Sequence, residues 1–183
     1  MPRHIAFLRA VNVGGRTVRM TELKTIFEGL GLARVETFLA SGNVVFESRS
    51  GAAALERKIE RALEAALRFD VPAFLRTAAE VASVAAHEAF PEPDVARARV
   101  LYVAFLRSAP GPGAAKKLAA HENGLESFRV HGREVYWLSQ AGQAESKFSN
   151  GVLEKTLGIA STIRGITTVR KLSAKYPPAP PRR

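Results

Sequence analysis

The chain has no cysteine, only two aspartates and four histidines, and no apolar run of membrane-spanning length. Without cysteine, disulfide staples, thiolate nucleophiles and cysteine zinc sites are excluded. The apolar stretches stop well short of the roughly 18 residues that a spanning helix needs. Met1 to His4 lead directly into a strand pattern, so a soluble cytoplasmic protein with no membrane partner is expected. The histidines, at 4, 87, 121 and 131, form no HxH or HExxH spacing, and no paired aspartates exist. That scatter predicts neither a catalytic metal nor a metal cofactor, and gives Ser41 no triad partner.

What is abundant is arginine. Of the 27 basic residues 19 are Arg, against 17 acidic residues, for a net charge of +10. Such a field attracts phosphates, nucleic acids and acidic metabolites. A coding bias toward Ala, Arg and Gly produces the same balance, and the charge then reports on solubility. At 183 residues and 46% hydrophobic content the chain can bury a core, as one domain or as two small lobes.

"HIAFLRAV" at 4–11 reads as a strand covered on both faces. Thr21 is expected to cap a helix whose face carries Leu23, Ile26, Phe27 and Leu30. "VETFLA" and "VVFES", separated by Ser41-Gly42-Asn43, predict a hairpin. A long helix follows over about 50–69. Next comes a strand over 70–77, which Pro72 assigns to an edge. Thr77 and Glu80 form a capping box for a helix ending near Phe90.

"PEPDVARAR" at 91–99 reads as a connection, after which the pattern restarts: a strand in "VLYVAFLRS", a helix in "AAKKLAAH" and a hairpin around "HGR". A helix from about Ser146, a short strand near 160–163 and a helix from Thr168 to Tyr176 complete it. "IAFLRA" at 5–10 and "VAFLRS" at 103–108 stand at the same place in the two strings. The expected fold is therefore α+β, two βαββαβ-like lobes of ferredoxin-like type arising by internal duplication. Their expected bounds are 1–92 and 93–176, with 177–183, "PPAPPRR", an extended Pro-rich tail.

Four polar groupings are candidate sites. The strand-to-helix loop carries Arg9, Asn12, Gly14, Gly15 and Arg16; paired glycines allow backbone N–H groups to face an anion, and equally allow a plain corner. It is neither a Walker loop nor GxGxxG, so no nucleotide cofactor is implied. The second grouping is the turn Ser41, Gly42, Asn43, and the third is Ser146-Lys147 opening a helix. The fourth is "STIRGITTVRK" at 161–171, where Thr162, Arg164 and Thr168, with Arg170 and Lys171 in an expected first helical turn, resemble an anion seat. An anionic small molecule, expected in one cleft built from the 9–16 loop, the 41–43 turn and the 162–168 helix start, is the leading partner and a nucleic acid the alternative. The aromatic run of an RNA-recognition sheet is missing, and Phe7 and Phe46 read as core.

"FLRAVNVGG", "RMTEL", "TFLASGNVVF", "VYWLS" with "SK", and "TIRGITTVRKL", in that order, resemble the family known as domain of unknown function 1697. The resemblance implies a two-lobed α+β fold, at least one lobe ferredoxin-like, and no established activity. Three of the four polar groupings coincide with its signature segments. The chain departs from it at Gly165 and Ile166, where the family carries Asn and an aromatic, and at Phe38, often a tyrosine.

Overall fold

A computed structural model describes residues 1–12, 14–15, 17–141 and 145–179. Two four-stranded antiparallel sheets and seven helices are found among them. The chain forms two compact units, Met1–Ser83 with Leu172–Arg183, and Val84–Lys171.

In the first unit β1 (Arg3–Leu8), β2 (Ala33–Phe38), β3 (Asn43–Glu47) and β4 (Ala73–Thr77) lie in the order β2-β3-β1-β4. The helices α1 (Met20–Gly29) and α2 (Ala52–Leu67) make the connections from β1 to β2 and from β3 to β4. Each connection skips one strand position, which lets every neighbour be antiparallel. The apolar stripes of the helices, Leu23 and Phe27 on α1 and Leu55, Ile59 and Leu63 on α2, join Ala6, Leu8, Val44, Phe46 and Leu75 in one core. Each fully buried Leu or Phe contributes about 1.5–3 kcal/mol. β1 is buried on both faces, Ile5 and Phe7 as fully as Ala6 and Leu8, as expected of a covered central strand. Pro72 precedes β4, which pairs only with β1 and is the edge strand expected. α3 (Ala78–Ala86) follows through the Thr77/Glu80 capping box, where the Thr77 N–H donates to Glu80 Oε2 at 2.7 Å and the Glu80 N–H to Thr77 Oγ1 at 3.2 Å.

The second unit repeats the scheme. β5 (Val100–Leu106), β6 (Glu126–His131), β7 (Glu134–Ser139) and β8 (Ser161–Gly165) lie in the order β6-β7-β5-β8. α5 (Ala114–Ala119) and α6 (Asn150–Leu157) supply the connections. Ala104, Leu106, Leu118, Phe128, Trp137 and Leu153 share its core. The repeat reaches individual hydrogen bonds. Arg9 N–H donates to Pro72 O and Arg107 N–H to Ala160 O, both at 2.9 Å. Glu60 Oε1 accepts from Ala73 N–H at 2.9 Å, and Glu154 Oε1 from Ser161 N–H at 2.7 Å. In both units a carboxylate on the second helix thus satisfies the first N–H of the last strand.

Several local expectations need correction. α1 starts at Met20 with Arg19 at its N-cap and no side-chain cap, so Thr21 lies inside the helix, its carbonyl accepting from Thr25 Oγ1. α3 ends at Ala86 rather than near Phe90. The 91–99 connection holds a short helix, α4 (Glu92–Arg97), because Pro91 and Pro93 suit a helix start and Arg97 pairs with Asp94 at 2.8 Å. α6 begins at Asn150, where Ser149 Oγ accepts from Val152 N–H, so Lys147 precedes the helix. α7 (Ile166–Lys175) starts two residues before Thr168.

Candidate functional site

In the first unit the opening loop and the hairpin turn meet. Asn12 joins them: its Nδ2 donates to Ala40 O at 2.7 Å, while its Oδ1 accepts from Val18 N–H at 2.8 Å. One side chain therefore closes the loop on itself and ties it to the turn. Leu8 N–H donates to Gly42 O at 2.8 Å. Gly42 has φ of 76°, and a Cβ there would stand 3.1 Å from Val11 Cγ2 and 3.3 Å from Leu8 Cβ. Only glycine allows that approach. Asn43 is buried and donates from Nδ2 to Phe38 O at 2.9 Å and to Ser41 Oγ at 2.8 Å. Both amides thus hold backbone, and Asn43 holds the Ser41 hydroxyl as well.

What the pair of loops presents outward is different. Gly14 and Gly15 are exposed, with φ of 64° and 81°, and a Cβ on either would meet nothing within 4 Å. Their left-handed backbone, not crowding, is what calls for glycine. Arg9 is half-buried at the loop's start. Arg16 lies outside the described residues.

The other candidates, Lys147, Thr162, Arg164 and Thr168, belong to the second unit. Thr162 and Arg164 lie on β8, not at a helix start, and both are buried. Arg164 Nη1 donates to Thr162 Oγ1 at 3.0 Å and to Ile163 O at 2.9 Å. Burial lowers the guanidinium pKa to about 10, which still leaves it charged at neutral pH. Thr168 lies within α7, and Arg170 and Lys171 fall beyond its first turn, Ile166 to Val169. The expected clash of cations with the helix dipole does not arise, because α7 starts at Ile166, directly after β8 and two residues ahead of Thr168. Lys147 is exposed.

A buried cation that sequence reasoning passed over is Arg76 on β4, 1% exposed. Ile5 is its register partner, as Val103 is the partner of Arg164. The signal was available: Ile5 and Val103 open the two matching hexapeptides, so each fourth strand carries an arginine opposite the same position.

The family model described as a protein of unknown function (DUF1697) matches residues 1–136. Among solved structures, a conserved bacterial protein from Streptococcus pneumoniae is similar, with a TM-score of 0.73 and 22% identity over 96% of this chain and 98% of that one. At that identity the likeness speaks for the fold. No curated protein matches the chain.

Proposed function

The chain belongs to the DUF1697 family of proteins of unknown function, and from that premise we propose that it binds a phosphate-bearing or otherwise anionic small molecule on the paired loops of its first unit. The observation that carries this reading is the Asn12 bridge. Its two hydrogen bonds, at 2.7 and 2.8 Å, pin a loop whose tip is two exposed glycines of positive φ. A loop held from both sides has already lost much of the freedom that ligand binding would otherwise cost. Arg9 supplies the charge, Gly14 and Gly15 the backbone donors, and Asn12 and Asn43 keep both loops in place. Lys147, Thr162, Arg164 and Thr168 are left out of this core, since the arginine and Thr162 bond each other.

We read both lobes as ferredoxin-like copies of one unit; the matching strand orders and the repeated Glu60 and Glu154 contacts support this. The nucleic-acid alternative has less support. Phe7 and Phe46 are both fully buried, so neither offers a face for base stacking.

Isothermal titration with pyrophosphate and inorganic phosphate tests the reading. Saturable binding, weakened about tenfold or more by Arg9→Ala and only mildly by salt, supports it. Absence of heat with the unaltered protein overturns it. Affinity for a nucleic-acid oligomer that falls steeply with ionic strength would favour the alternative.

A further inference from the structure

The second unit contains a hollow of about 450 Å³ that lies apart from the paired loops of the first unit and that, of the candidate residues named above, Arg170 lines. Its wall is the stretch between α3 and α4, with Phe90 and Leu101 as buried apolar lining. Glu88, Glu92 and Arg170 reach it from three places: the connection after α3, the first turn of α4 and the middle of α7. Among the described residues none of these three charged groups has an ion-pair or side-chain hydrogen-bond partner.

The wall is held in shape. His87, also lining the hollow, stacks on His131 with ring centroids 4.0 Å apart and planes 20° from parallel. The guanidinium of Arg129 lies 5.1 Å from the centroid of the Phe90 ring. Tyr136 donates its hydroxyl to Val84 O at 3.1 Å, just ahead of the stretch. Burial and the neighbouring His131 both lower the His87 pKa, so at neutral pH its imidazole is uncharged.

The charge pattern limits the occupant. A simple anion would meet two carboxylates against one guanidinium, and a simple cation would meet Arg170. A molecule carrying both signs on an apolar body satisfies all three groups, and the volume is within the usual range of small-molecule sites. We infer that this hollow binds a small zwitterion with an apolar side chain, of the class of free apolar amino acids. Its carboxylate is taken by Arg170, its ammonium by Glu88 and Glu92, and its side chain lies against Phe90 and Leu101.

Titration of the full chain with phenylalanine, 3-phenylpropanoate and 2-phenylethylamine, followed by amide chemical shifts, tests this. Phenylalanine is expected to bind at least about tenfold more tightly than either single-charge analogue, each of which lacks one charge-assisted contact. Its shifts should centre on residues 87–92 and 170. Arg170→Gln should cost about tenfold in phenylalanine affinity while leaving 2-phenylethylamine binding unchanged. Arg170 is exposed, so this variant should keep the wild-type melting temperature. The inference is overturned if no phenylalanine binding is seen at millimolar concentration, if an analogue binds as tightly, or if Arg170→Gln leaves the affinity unaltered.

Discussion

Arg76 and Arg164 occupy equivalent positions in the two units, one opposite Ile5 on β4 and the other opposite Val103 on β8. Each donates from Nη1 to the carbonyl of the residue before it, Leu75 at 2.8 Å and Ile163 at 2.9 Å. Both are buried. A guanidinium taken from water is tolerated only when its donors are satisfied. The planar fork makes arginine suited to that task.

For this reason Arg164→Lys is expected to destabilise the protein by about 1–3 kcal/mol, because one ammonium does not reproduce the bonds to Thr162 Oγ1 and Ile163 O. Urea denaturation measures it. An unshifted midpoint would show that the buried charge is not held by these contacts.

Asn12→Ala removes the links to Ala40 O and Val18 N–H together. A loss of about 1–2 kcal/mol is expected. Asn12→Asp should fall between, since it keeps the acceptor for Val18 and loses the donor to Ala40. Amide exchange in the 9–18 and 39–42 segments should rise in the alanine variant ahead of the rest of the first unit.

Two glycines of similar backbone should respond differently to alanine. Gly14→Ala meets only the left-handed penalty, φ being 64° with open space around it, at about 1–2 kcal/mol. Gly42→Ala meets that penalty and also Val11 Cγ2 at 3.1 Å and Leu8 Cβ at 3.3 Å, adding about 1–3 kcal/mol of overpacking. Equal melting temperatures for the two variants would mean that the turn yields freely to the added methyl.

His4 makes folding sensitive to acid. It is buried beside Phe46, ring centroids 5.6 Å apart, and neither ring nitrogen has a hydrogen-bond partner of acceptable geometry. Burial lowers its pKa below 6.5, the Ser48 backbone and the Glu80 charge only partly opposing this. The unfolded chain then takes up the proton first, so stability is full above the ordinary histidine pKa and falls as pH drops below about 6.5. His4→Phe should flatten that part of the stability profile between pH 7 and 5. A slope unchanged by the substitution would assign the acid sensitivity to other groups.

Much of the architecture was legible because periodicity is local. The stripe of Leu23 and Phe27, the hairpin around Gly42, the edge strand after Pro72 and the Thr77/Glu80 box all depend on residues a few positions apart. Errors cluster where a neighbour in space sets the boundary. α7 begins at Ile166 because β5 pairs with β8 as far as Gly165, and no residue near 166 announces that. The 87–92 wall has the same origin, since His131, against which His87 stacks, is 44 residues away.

By itself the sequence determined the order of the eight strands and the longer helices, the matching hexapeptides "IAFLRA" and "VAFLRS", and the absence of cysteine, since each is carried by residue identity and short-range spacing. Tertiary structure alone decided that Asn12 and Asn43 spend their amides on backbone and that Arg164 is buried with Thr162. It also decided that Glu88, Glu92 and Arg170 border one hollow. A polar side chain's role depends on which partners the folded chain brings within hydrogen-bond reach, and that distance is not written in its spacing along the chain.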